Sequence, residues 1–224
     1  YIEKKNYRTV DFNNEMNLEA VRNFTTVLFS RFYPKEKKGV RKLKKDEIPG
    51  MSEKLREYYH NYTMYSNRNL FFHEHYYVFE KDGQIIAGLQ AYPDEWKIID
   101  MPGRWGKLMF WLLPRLPLLK RIFNPRNFKF LAVEGIWYIN GHAHYVEDIM
   151  ESVCALHNIH LIMMWQDSHS VLLTDLDKHV DYGMVHKLIK RVDGELRVKF
   201  INYEQEEKME FYRRPAYLSS FDMC

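Results

Sequence analysis

Phe128-Lys129-Phe130-Leu131-Ala132-Val133-Glu134-Gly135-Ile136-Trp137-Tyr138-Ile139-Asn140-Gly141-His142-Ala143-His144 runs straight into the periodic stretch Tyr145 to Asn158, and its reading decides the fold. The first part is an almost unbroken apolar, β-favouring run, which predicts a buried strand. Tyr145, Ile149, Met150, Val153, Cys154 and Leu156 then recur at helical spacing and form one apolar stripe that would dock on a sheet. Between them lies a tight loop of small residues. The first N–H groups of a helix have no intrahelical partner, and the macrodipole places partial positive charge there, so a strand-loop-helix junction of this kind suits a phosphate. Small side chains at Gly141 and Ala143 let a pyrophosphate approach the backbone, and Gly141 also tolerates a positive φ.

Outward from this unit the chain reads as mixed α and β. His75 to Glu80, the turn Lys81-Asp82-Gly83 and Gln84 to Tyr92 predict a hairpin, with β-rich residues on both sides of an Asp-Gly pair. Residues 93–125, rich in Pro, Gly and Trp, interrupt the pattern as an insertion with an apolar helical segment, Trp105 to Phe123. Downstream, His160 to Trp165 predicts a strand and Val171 to His179 a short helix. Met184 to Arg191 and Leu196 to Tyr203 predict a last hairpin turning at Asp193-Gly194. Upstream, Tyr7 to Phe12 predicts a short strand. Asn17 is placed to cap a helix through Tyr33, on which Ala20, Val21, Phe24, Val27 and Leu28 follow the helical period, with Pro34 ending it. Lys35 to Lys45 reads as a charged, solvated connector, and Ser52 to Met64 as a second helix ending before Asn69.

Composition bounds the function. A net charge of +3 over 224 residues is too small for a dedicated polyanion binder, so no nucleic-acid partner is expected. Cys154, on a helical apolar stripe, and Cys224 form no disulfide framework, which points to a reducing compartment and a cytoplasmic protein. Lys107, Pro114, Arg115, Pro117, Lys120 and Arg121 punctuate the longest apolar segment, so it falls short of the roughly 20 apolar residues a membrane span requires. The sequence opens on Tyr1 with no signal pattern, so the expectation is one domain over 1–224, standing alone or as the C-terminal part of a longer protein.

The element order β-α-α-β-β-β-α-β-α-β-β resembles the GNAT superfamily of acyl-CoA-dependent N-acyltransferases over nearly the whole chain. The family's pyrophosphate motif, Gln or Arg, two variable residues, Gly, one variable residue, then Gly or Ala, falls on Tyr138, Gly141 and Ala143 at the strand-to-helix junction. A second match is Leu176-Asp177-Lys178-His179-Val180-Asp181-Tyr182-Gly183-Met184. Gly183-Met184 resembles the family's Gly-Phe pair, and His179 stands where many members carry a Tyr that protonates the leaving thiolate. Tyr138 replaces the usual Gln or Arg. The resemblance implies an α/β (α+β) fold with a mixed, mostly antiparallel central sheet flanked by helices and a helical insertion before the CoA-binding strand. It implies acetyl-CoA or another acyl-CoA as substrate, an amine acceptor and no metal. Contacts to the acyl-CoA would come from Ile136, Tyr138, Asn140, Gly141, His142, Ala143 and His144. Its departures leave a second reading, a GNAT-like module without catalysis that binds a ligand or a protein.

Acyl transfer to an amine needs a group that takes a proton from the ammonium and one that returns a proton to the thiolate. Glu134 is the base expected on the strand, since burial raises a carboxyl pKa and similar glutamates on this strand serve as bases in some GNAT members. The bland alternative is a strand residue paired with an Arg or Lys. His179 is the expected acid, with Tyr182 or water as substitutes. His142 and His144 offer backbone N–H groups to phosphate or are loop-surface histidines. His73 and His75 place two imidazoles on one strand face but lack a third ligand of clear spacing. Asp167, His169 and Ser170 invite a hydrolase reading, yet no Gly-x-Ser-x-Gly turn is present, and capping of the next helix by Asp167 or Ser170 explains them better. The 105–123 segment is expected either as a lid over the acceptor side, with membrane-surface contact open to it, or as a helix that extends the core.

Overall fold

The computed structural model describes residues 18–100, 103–189 and 191–220. Strands β1 (Glu19–Ser30), β2 (Val40–Lys42), β3 (Tyr76–Lys81), β4 (Gln84–Trp96), β5 (Phe128–Tyr138), β6 (Leu161–Asp167) and β7 (Val192–Val198) form one sheet in the order β2-β3-β4-β5-β6-β1-β7. Every neighbouring pair is antiparallel except β5 and β6. The helices are α1 (Ile48–Tyr58), α2 (Gly103–Leu112), α3 (Pro117–Ile122), α4 (His144–His157), α5 (Val171–His179), α6 (Met184–Leu188) and α7 (Gln205–Arg213). This is the mixed, mostly antiparallel sheet with flanking helices that the sequence implies.

The strand-loop-helix unit appears as β5, residues 139–143 and α4. Asn158 closes α4 in the left-handed conformation, at φ 51°. Asp82 and Gly83 both take positive φ in the β3–β4 turn, as a two-residue Asp-Gly hairpin requires. β4 runs four residues beyond Tyr92, carrying Pro93 opposite Leu131, so the insertion begins after Trp96. Its helical part is not one helix. Pro114 and Pro117 divide it into α2, a 3₁₀ turn at Leu113–Arg115, and α3.

Several expectations are corrected. The segment read as a helix from Asn17 to Tyr33 is β1. Val21, Thr25, Val27 and Phe29 are buried at spacings of two or four, so period two wins over the helical period that Val21, Phe24 and Leu28 also satisfy. β-Branched Thr25, Thr26 and Val27 in succession favour that outcome. Asn17 itself and Tyr7 to Phe12 lie outside the described residues. The last hairpin is instead the short helix α6 followed by β7 alone, which pairs along β1. Asp193-Gly194 is no turn: Gly194 sits opposite Phe24, and a Cβ there would stand 2.5 Å from the Phe24 ring. His73 is likewise off any strand, in a 3₁₀ turn at φ 51°, while β3 begins at Tyr76 after His75. The connector 35–45 contains the short edge strand β2, and α1 ends at Tyr58. α7 begins with a capping box between Glu204 and Glu207 that the sequence reading passed over.

The sheet separates two apolar clusters. One gathers α1, α4 and α5 residues such as Leu55, Val146, Ile149 and Leu176 with Leu131, Val133, Ile162 and Met164. The other is built on Phe128, Phe130 and Ala132 of β5 and Leu161, Met163 and Trp165 of β6, the alternate residues of the same strands, with Ile122 of α3 and Val185 of α6.

Gly183 joins α6 to the sheet at φ 87°, and a Cβ there would lie 2.2 Å from the Ser30 carbonyl oxygen. Gly141, at φ 81°, has open space around it. Gly141→Ala should therefore cost only the left-handed conformation, roughly 1–2 kcal/mol. Gly183→Ala should lose roughly 1–3 kcal/mol more through the backbone clash. Urea unfolding of the two variants measures the difference; equal losses would remove the close approach at Gly183.

Candidate functional site

β5 and β6 are paired only at Leu131↔Ile162 and Ala132↔Met163. Beyond these pairs β5 continues to Tyr138 and β6 to Asp167, so the two strands part toward their carboxyl ends. Gly135, at φ 60°, forms a bulge in β5 opposite a register shift between Gly88 and Gln90. A bulge leaves carbonyls without ladder partners. Here side chains supply them: Tyr76 Oη donates to the Gly135 carbonyl at 2.9 Å and Tyr59 Oη to that of Ile136 at 2.6 Å. Gly88 makes this possible, because a Cβ there would stand 2.7 Å from the Tyr76 ring.

The gap holds residues 215–220, irregular apart from a bridge at Ala216. Ala216 N–H donates to Asp167 Oδ2 at 2.9 Å, on the β6 side. Ser220 N–H donates to Glu134 Oε2 at 3.1 Å and its hydroxyl to the Val133 carbonyl at 2.8 Å, on the β5 side. Tyr217 packs in the first cluster and Leu218 against the second, so the segment passes edge-on between the strands. The loop after α1 braces it from outside: Tyr217 N–H donates to the Thr63 carbonyl, Thr63 N–H to that of Pro215, and Tyr59 and Tyr65 contact the Tyr217 ring.

Glu134 lies at the centre and is 2% exposed. Gln90 Nε2 donates to Oε1 at 3.0 Å, and Tyr217 Oη stands 3.5 Å from Oε2 beside the Ser220 amide. Its partners include an amide side chain, a hydroxyl and a backbone N–H rather than the Arg or Lys expected as the bland alternative. Burial pushes the carboxyl pKa above its ordinary value, and hydrogen bonds from Ser219, Ser220, Gln90 and Tyr217 oppose the shift without cancelling it. Asp167 behaves in the opposite way. Burial would raise its pKa, but paired bonds from Arg22 at 2.7 and 2.8 Å and the N–H groups of Ala216 and His169 hold it below the usual range. Ser170 caps α5 by accepting from Leu173 N–H at 3.1 Å, which gives the Asp167-His169-Ser170 run a structural use.

The loop lies at the wide end of the gap. Asn140 and Gly141 are exposed, Ala143 is buried at the N-cap of α4, and no side chain caps that helix. His142 Nδ1 lies 3.0 Å from the Asn140 carbonyl, and the His142 ring stacks with Tyr145 while the His144 ring lies tilted against it. Ile136 is wholly buried. Tyr138 does not point its hydroxyl at the loop; it donates to Asp175 Oδ2 of α5 at 2.8 Å. The other Asp175 oxygen and the Asp175 carbonyl receive His179 Nδ1, at 3.2 and 2.8 Å. Tyr182 Oη donates to Asp177 at 3.1 Å. Tyr138 and His179 are thus joined through Asp175, whereas Gln90, Tyr217 and Ser220 gather on Glu134 across the gap. Gln90, Tyr217 and Ser220 escaped the sequence reading because their partner, Glu134, is 44 to 86 residues away.

No protein-family profile and no curated protein sequence matches this chain. Solved structures similar to it include a GNAT-family protein of Novosphingobium aromaticivorans, at 9% identity and a TM-score of 0.46, covering 82% of this chain and 67% of that one. They also include Saccharomyces cerevisiae N-myristoyltransferase with bound myristoyl-CoA, at 12% identity and a TM-score of 0.43, covering 72% of this chain. This chain spans 48% of that myristoyltransferase chain.

Because the folded protein binds the Glu134 proton more tightly than the unfolded chain does, the contribution of Glu134 to stability falls as pH rises from its ordinary 4.5 through the raised folded value. Glu134→Gln removes that term. Between pH 4 and pH 8 the variant should therefore lose less unfolding free energy than the parent, as read by urea titration. Identical pH slopes would show that Glu134 is not held protonated by the fold.

Proposed function

We propose that this chain binds an acyl-CoA where β5 and β6 part and transfers its acyl group to an amine acceptor. The observation that carries the reading is the parting itself: strand pairing stops at Ala132 and Met163, and β5 continues into a small-residue loop and the uncapped start of a 14-residue helix. A pyrophosphate on the N–H groups of 140–144, with that of His142 leaving the Ile139 carbonyl to which it donates at 2.9 Å, would meet the positive end of α4, the rest of the cofactor being directed along β5. Residues 136, 138 and 140–144 are the proposed contacts.

In the transfer, the acceptor ammonium gives one proton to Glu134, the freed amine nitrogen bonds to the thioester carbonyl carbon, the carbon–sulfur bond breaks, and the nitrogen gives up its second proton to water to leave the neutral amide. The thiolate takes a proton from His179. Since Nδ1 of His179 faces Asp175, the proton would leave from Nε2, and the ring must then be imidazolium before the step. A carboxyl with a raised pKa suits the first step, provided residues 217–220 yield room at Glu134 for the acceptor.

That condition also supports a second reading, a ligand-binding module without turnover. The segment 216–220 lies in the gap, and both oxygens of Glu134 have protein donors. Among the described residues no helix is long and apolar enough to cross a membrane.

Calorimetry and thermal shift with CoA, acetyl-CoA and long-chain acyl-CoA test the proposal. Ligand at about 100 times its Kd should stabilise the fold by roughly 2.7 kcal/mol, and Gly141→Glu should abolish that gain while remaining folded. No shift with any acyl-CoA would overturn acyl transfer and favour the second reading, a module that binds another ligand or a protein. With binding in hand, loss of turnover in Glu134→Gln and His179→Phe at unchanged acyl-CoA affinity supports transfer. Binding without turnover across a panel of amines supports the module.

A further inference from the structure

The face of the sheet that carries Phe128, Phe130 and Ala132 also bears an open apolar groove of about 560 Å³. Its floor is Leu28, Met163 and Trp165, its walls include Trp96 and Phe123, and Thr26 is the one polar side chain among its described lining residues. The volume falls within the roughly 300–1,000 Å³ typical of small-molecule sites. A lining with so few polar atoms cannot satisfy a buried headgroup, so the occupant must be hydrocarbon over this length. Leu188 and Val192, at the mouth, are 72% and 63% exposed.

The insertion forms one wall and continues beyond it. Leu113, Leu119 and Ile122 face the groove, while Leu108, Trp111, Leu112 and Leu116 stand exposed on the same arm, Trp111 at 56%. Between Met101 and Val133 the sequence holds seven Lys and Arg residues and no Asp or Glu. Exposed apolar side chains among cations, without acids, match an anionic bilayer interface, where each nearby cation contributes about 1 kcal/mol. The same charge opposes a second copy on this face, because pairing would bring two acid-free cationic segments together. With Pro114 and Pro117 breaking it, the arm lies on a membrane rather than crossing one.

We propose that the groove takes one hydrocarbon chain of an anionic membrane lipid, with α2 and α3 lying in the headgroup layer. This inference stands independently of acyl transfer. Trp96 and Trp165 line the groove and report its occupancy. The test uses the full chain carrying Trp105→Phe and Trp111→Phe, with vesicles of phosphatidylcholine alone or mixed with phosphatidylglycerol brominated on one chain.

Sedimentation should show about tenfold tighter binding to the phosphatidylglycerol vesicles, and the bromines should quench the emission of Trp96 and Trp165 while Trp137, in the other cluster, stays unquenched. Lys120→Glu with Arg121→Glu should erase the lipid preference. Leu188→Asp and Ile189→Asp, at exposed positions, should each reduce quenching several-fold at an unchanged melting temperature. Equal binding to both vesicles overturns the lipid assignment. Quenching that is absent, or unaffected by either mouth variant, overturns occupation of the groove. A dimer in ultracentrifugation that the vesicles do not dissociate assigns the face to a second copy and overturns the proposal.

Discussion

Two buried carboxylates on either side of one gap hold this structure together. Asp167, at the end of β6, accepts from Arg22 of β1, from His169 in its own loop and from Ala216. Glu134, on β5, accepts from Gln90 of β4 and from Ser220. Between them residues 216–220 bridge strands whose direct pairing ends after two residue pairs. A parallel pair that separates would otherwise expose unpaired N–H and carbonyl groups on both inner edges, each costing free energy if left buried and unmet. The bridge meets part of that demand at Val133, and tyrosine hydroxyls meet it at Gly135 and Ile136.

The two carboxylates differ because their donors differ. Asp167 faces a guanidinium in a paired geometry, and a charged donor outweighs the desolvation of the carboxylate. Glu134 is met by the neutral donors Gln90, Tyr217, Ser219 and Ser220, so burial prevails and its proton is held more tightly. A tightly donor-ringed carboxylate positions its neighbours well; an easily protonated one exchanges protons well. Glu134 combines both properties, and the distinction between strut and base rests on whether the 217–220 backbone gives way when an acceptor arrives.

Local pattern carried far into this fold where a single period dominated. Phe128 to Tyr138, the loop at Gly141 and the α4 stripe were legible because burial on both faces, small residues and helical spacing each leave a distinct trace. Ser170 and the helix from Val171 to His179 were legible through capping. β1 was not, since Val21, Phe24, Val27 and Leu28 satisfy two periods and its partners lie more than 130 residues away. Asp193-Gly194 misled because a glycine required by the Phe24 ring has the same appearance as one required by a turn. The bridge at 216–220 has no local signal at all, and with it the surroundings of Glu134 were beyond the reach of sequence.

A single strand therefore serves two surroundings. Phe128, Phe130 and Ala132 lie at two-residue intervals in the apolar cluster under the groove, and the next residue in that alternation is Glu134. The face changes from hydrocarbon to carboxylate within one step, at the point where β6 turns away. Leu218 marks the boundary, packing against the apolar cluster while Ser220, two residues on, donates to the carboxylate. Any displacement of the bridge that frees Glu134 must also uncover the apolar surface beneath Leu218, so access to the carboxylate and exposure of that cluster are one structural event rather than two.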